Sequence, residues 1–98
     1  MFAKCKLPRI IFFELVTKWQ GTDLLTGSVE YVNPSYLERE IMRIADDNHI
    51  RLISIRIVPF ARCYVSFIGT LKDKITLYSV LTGKDMQYLI SVKHISFY

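Results

Sequence analysis

Residues 51–68, RLISIRIVPFARCYVSFI, constrain this chain more than any other stretch. They form two alternating arms around a proline. A period of two sends successive side chains to opposite faces of a sheet. Ile53, Ile55, Ile57, Cys63, Val65 and Phe67 would share one face, and Ser54, Arg56, Arg62, Tyr64 and Ser66 the other. The segment therefore reads as strand–turn–strand, with one apolar face and one polar, basic and partly aromatic face.

A helix is expected just before it, over 34–48. Asn33 can cap the first amides and Pro34 suits the first helical position. Ser35 and Glu38 offer an alternative capping box. Leu37, Ile41, Ile44 and Ala45 recur at the spacing of one buried stripe, and Asp46, Asp47 and Asn48 end it. Upstream, residues 9–19, RIIFFELVTKW, are β-branched and aromatic and read as a strand. Ile11, Phe13 and Leu15 would lie on one face, with Phe12, Glu14, Val16 and Lys18 on the other. QGTDLLTGS reads as a turn or loop, and residues 28–32 as an extra short strand, in a hairpin with the first.

Residues 70–82 carry two conflicting signals. Thr70 as cap, Gly83 as stop and the spacing of Leu71, Ile75, Tyr78 and Leu81 favour a helix. The β-branched Ile75, Thr76, Val80 and Thr82 favour a strand. The flanking residues decide for the helix. The end, YLISVKHISFY, reads as a last strand. The expectation is a single α+β domain over residues 1–98, with a ferredoxin-like βαββαβ antiparallel sheet and helices on one face.

Ninety-eight residues with 51% hydrophobic and 22% charged side chains can bury a core without cross-links. The formal charge of +4 suits a polyanionic partner without requiring one. Cys5 and Cys63 make no disulfide framework. The apolar run from Ile10 to Val16 is interrupted by Glu14, too short and mixed for a signal peptide or a membrane span. A cytoplasmic protein without a membrane partner is expected.

No cofactor and no metal are expected. Asp46, Asp47 and His49 have ligand-type chemistry but sit at a helix end, where a solvated terminus accounts for them. The glycines are isolated, and no serine or cysteine stands in a nucleophile elbow. A Cys63–His94 pair across adjacent strands is the one reactive pairing to test.

The polar sheet face is more informative. Phe12, Tyr64, Arg56, Arg62 and Lys93 can assemble there, aromatic planes among cations, which is how sheets hold nucleic-acid bases and phosphates. Arg62-Cys63-Tyr64-Val65-Ser66-Phe67 distantly resembles the RNP1 stretch of RNA-recognition-motif domains, and Ile11-Phe12 lies where RNP2 would. Cys63 stands in place of the usual glycine, and Ser66 in place of a second stacking aromatic. The resemblance implies a fold of that plan and leaves function to the site itself. Phe12, Val16, Trp19, Leu24, Leu25 and Val58 are the protein-interface candidates, since apolar side chains left over after core filling need a cover.

Three functions remain in view. The first is a non-enzymatic protein-interaction or regulatory domain, homo-oligomeric or bound to another protein, such as a small accessory or inhibitor protein of a virus or mobile element. The second is a nucleic-acid-binding module acting through the open sheet face. The third is a small enzyme or ligand sensor with an interface pocket.

Overall fold

A computed structural model describes residues 8–22, 25–27, 29–31, 33–58 and 62–98. The elements are β1 (Arg9–Thr17), β2 (Trp19–Thr22), β3 (Val29–Tyr31), α1 (Pro34–Asp47), β4 (Arg51–Val58), β5 (Arg62–Gly69), α2 (Leu71–Leu81) and β6 (Ile90–Phe97). Four strands form one antiparallel sheet in the order β4-β5-β1-β6, and β2 pairs with β3 in a separate two-stranded sheet. The expected extra strand thus exists, and its partner is β2 rather than β1. The turn expected between β4 and β5 falls outside the described residues, as does Cys5.

The order follows from the connections. β4 and β5 are joined too closely to do anything but pair antiparallel. Each helix then carries the chain over one strand: α1 from β1 past β5 to β4, and α2 from β5 past β1 to β6. Alternation supplies the core. Ile11, Phe13 and Leu15 of β1 and Cys63, Val65 and Phe67 of β5 are fully buried on the same face. They pack with Leu37, Ile41, Ile44 and Ala45 of α1 and with Leu77 and Leu81 of α2 in one cluster. Phe13 and Phe67 meet edge to face at 6.0 Å, the arrangement ring quadrupoles favour.

Local chemistry fixes the helix ends. The Asn33 side-chain oxygen accepts from the amides of Ser35 and Tyr36 at 2.9 and 3.3 Å, so Asn33 is the cap and the Ser35–Glu38 alternative is not used. At the other end the Ile50 amide donates to the Ala45 carbonyl and the His49 amide to the Asp46 carbonyl. That pair of bonds is a Schellman closure, and it places His49 at φ 56°, in the left-handed region. α2 opens on a reciprocal capping box. The Thr70 hydroxyl accepts from the Asp73 amide at 3.3 Å, and the Asp73 carboxylate accepts from the Thr70 amide at 2.9 Å. This box resolves the ambiguity of residues 70–82 in favour of helix. It also explains Gly69, whose missing Cβ would stand 2.7 Å from the Asp73 side chain.

Two expectations are corrected. Ile53 does not join the core; it is 47% exposed. The β4–β5 register shifts between Leu52 and Ser54, so a bulge takes Ile53 out of the alternation. Leu52 faces Phe67 instead, while Ile55 and Ile57 keep their places opposite Val65 and Cys63. In α2 the stripe Leu71–Ile75–Tyr78 points outward, and the buried stripe is Leu77 and Leu81.

Candidate functional site

The helices cover one face of the four-stranded sheet, and the other face is a mixed platform on which Ile10, Ile68, Val16 and Val58 accompany polar, charged and aromatic side chains. Its rows follow from the registers. Ser54, Ser66, Phe12 and Ser96 lie side by side across β4, β5, β1 and β6. The next row is Arg56, Tyr64, Glu14 and His94, and the one beyond it Val58, Arg62, Val16 and Ser91. β6 carries a bulge between the partners of Glu14 and Leu15, which leaves Lys93 unpaired in the ladder.

Phe12 and Tyr64 sit diagonally on the two central strands. Their ring centroids are 6.1 Å apart and their planes 14° from parallel. Both are half-buried; Ser66 and Ser96 flank Phe12 along its row, and Tyr64 lies between Arg56 and Glu14 in the next. Beside them a groove of about 450 Å³ is lined by Phe12, Ser54, Arg56, Val58, Tyr64 and Ser66. Arg56 makes no ion pair among the described residues, so its guanidinium is available at the groove.

Glu14 organises the remaining charge. Its carboxylate accepts from the Arg62 guanidinium at 2.8 Å and lies 3.8 Å from the Lys93 ammonium. Only 18% of its side chain is exposed. On the same row, His94 Nε2 lies 3.0 Å from the Ser96 hydroxyl. Among the described residues the face therefore carries the cations Arg56, Arg62 and Lys93 against the carboxylate of Glu14. α1 shows the opposite balance, with Glu38, Glu40, Asp46 and Asp47 against Arg39 and Arg43, and Arg43 is held by Glu40 and Asp47. Lys18 is occupied elsewhere, its ammonium donating to the Gln87 carbonyl.

The structure thus brings Phe12, Tyr64 and Arg56 together in one groove and holds Arg62 and Lys93 beside it through Glu14. Of the protein-interface candidates, Val16 and Val58 lie on this face with Phe12, half-buried, and Leu25 is exposed. Trp19 belongs to β2, but its side chain and all of Leu24 lie outside the described residues. The alternation of β1 places Glu14 on this face as the sequence predicts, and its link to Arg62 comes only with the pairing of β1 and β5. A lone carboxylate in an apolar strand favours a counter-charge opposite it, but which cation supplies it depends on the strand order.

Cys63 and His94 point to opposite sides of the sheet, so the Cys63–His94 pair does not form. Burial pushes the Cys63 thiol up to about 12, which keeps it protonated and unreactive. Among the described residues no three His, Cys, Asp or Glu side chains gather as a metal site, and no helix is long and apolar enough to cross a membrane. Comparison with protein-family models, curated proteins and solved structures found no match for this chain.

Proposed function

We propose that this protein is a non-enzymatic binding module whose open sheet face receives single-stranded nucleic acid. The observation that carries the reading is the near-parallel Phe12–Tyr64 pair opening onto a groove with Arg56. Aromatic planes stack bases of any sequence, and arginine both meets phosphate and stacks. Arg62 and Lys93 at the rim would follow the backbone of the strand. The strand order, taken from the other edge as β6-β1-β5-β4 with one helix after β1 and one after β5, supports the ferredoxin-like plan expected from the sequence. A plan of that kind leaves one sheet face open to a ligand.

The composition of the face favours a nucleic acid over a second protein. Three serines share the Phe12 row, and Glu14, Arg56, Arg62 and Lys93 would all have to be desolvated under a protein cover. Burying such charges is costly unless each finds a partner, and the cores of protein interfaces are depleted of charge. A polyanion brings a counter-charge to each of these cations and leaves the interface wetter than a protein core. A cytoplasmic setting agrees with an unpaired buried thiol at Cys63.

The test is fluorescence anisotropy with short mixed-sequence single-stranded oligonucleotides at low salt. Affinity should fall steeply as salt rises, through counterion release. Tyr64→Ala should cost roughly 1–3 kcal/mol, and Arg56→Ala should weaken binding and flatten the salt slope. Undetectable binding by the wild-type protein at low salt would remove the reading. A self-associated species whose mass Tyr64→Ala reduces would replace it with protein recognition.

A further inference from the structure

The outward stripe of α2 is an apolar surface that the fold does not use. Leu71, Ile75 and Tyr78 recur at helical spacing and are 50%, 62% and 48% exposed, while Leu77 and Leu81 anchor the helix from its other side. A helix apolar on both sides is one that expects a neighbour on both sides. Beside the stripe, Lys74, Ile75, Tyr78 and Ile95 of β6 enclose a groove of about 270 Å³ with apolar walls. β6 is the outer strand of the sheet, so nothing among the described residues covers Ile95 from that side.

Charge restricts what fits. The Lys74 ammonium stands 5.7 Å and the Arg9 guanidinium 5.5 Å from the centre of the Phe97 ring at the end of β6, and Lys72 flanks the stripe on α2. The carboxylate nearest in sequence, Asp73, is turned back into the capping box. The apolar stripe therefore has a cationic rim. A second copy docking here about a two-fold axis would set Lys72, Lys74 and Arg9 near their own counterparts. The first seven residues of the chain, MFAKCKL, hold two lysines and no acid, so they share the same sign. An added strand is disfavoured as well, because the bulge at Lys93 interrupts the free edge of β6.

We infer that the α2 stripe and the α2–β6 groove form a docking surface for an acidic amphipathic helix of a partner protein. α2 is about 16 Å long at 1.5 Å per residue, which matches a partner helix of about three turns. The partner's apolar residues would pack on Leu71, Ile75 and Tyr78, with one side chain in the groove. Its flanking glutamates or aspartates would face Lys72, Lys74 and Arg9. The surface lies on the helix side of the sheet, away from Phe12 and Tyr64, so it stands independently of the nucleic-acid reading.

The experiment is selection of a displayed library of three-turn amphipathic helices, with a fixed leucine stripe and flanking positions varied among Glu, Gln and Lys. The bait is the intact protein, with Ile75→Asp and Lys74→Glu as comparison baits. Both residues are exposed, and circular dichroism checks that the variants fold. The inference expects enriched peptides with acidic flanks, a loss of at least tenfold in affinity with Ile75→Asp, a smaller loss with Lys74→Glu, and no displacement by oligonucleotide. Enrichment without an acidic bias, or with no difference between wild-type and Ile75→Asp, would overturn it. So would a dimer in solution that Ile75→Asp dissociates, which would name a second copy as the occupant.

Discussion

The Glu14 carboxylate and the Arg62 guanidinium form a 2.8 Å ion pair diagonally across β1 and β5, in the middle of the sheet's open face. The pair holds Arg62 beside the aromatic groove and cancels part of its charge. Glu14→Gln keeps the shape and a hydrogen-bond acceptor while removing the carboxylate that, among the described residues, faces Arg62 and Lys93. We expect tighter binding of single-stranded oligonucleotide and a steeper dependence on salt, because more cationic charge is free to displace counterions. Anisotropy titrations at two salt concentrations measure both. Weaker binding by the variant would mean that holding Arg62 in place contributes more to binding than the charge Glu14 cancels takes away.

The bulge in β4 separates two isoleucines that look equivalent in sequence. Ile53→Ala should cost less than about 1 kcal/mol, as exposed positions do. Phe67→Ala should cost about 3–5 kcal/mol, through lost burial and the cavity left under α1 and α2. Ile55→Ala, half-buried at the sheet edge, should fall between them. Urea unfolding midpoints give all three, and equal losses at Ile53 and Ile55 would show that the register shift is absent.

His49 closes α1 in a left-handed conformation that a β-carbon disfavours. His49→Gly should therefore stabilise the protein by about 0.5–1 kcal/mol, the lost steric penalty exceeding the greater freedom of glycine in the unfolded chain. An unchanged or lower urea midpoint would indicate that the imidazole contributes more than its backbone costs.

Burial raises the Cys63 thiol from its ordinary 9.0 to about 12, and this has a sign in stability. Below about pH 9 the folded and unfolded states both hold the proton, and the contribution is fully present. Above it the unfolded chain releases the proton while the folded protein keeps it, so stability falls with rising pH, by at most about 1.4 kcal/mol per pH unit. Cys63→Val removes the group with little change of volume. Comparing denaturation of the two proteins at about pH 8 and about pH 10 isolates the term from the tyrosines and lysines that titrate nearby. The wild-type should lose more stability than the variant over that interval.

Period and punctuation made much of this protein legible from its sequence. Strict alternation in Ile11–Leu15 and Cys63–Phe67 fixed the buried face of the two central strands, because both helices pack on that one face. Asn33-Pro34 and Thr70 marked the helix starts, since a cap is settled by atoms within one turn. The gathering of Phe12, Tyr64, Arg56 and Arg62 on one face followed from the same phase, whereas Lys93 reaches Glu14 from a bulge in β6. Tertiary structure decided what depends on partners distant in the chain. Ile53 left the core and Leu52 entered it because a bulge in an edge strand is set by its pairing with β5, not by its own residues. α2 has apolar side chains on two sides, and only its seat over β5 and β6 determined that Leu77 and Leu81 turn inward while Leu71, Ile75 and Tyr78 face out. Glu14 acquired its counter-charge from Arg62, 48 residues away, an ion pair that no local pattern specifies because it exists only when β1 and β5 are neighbours.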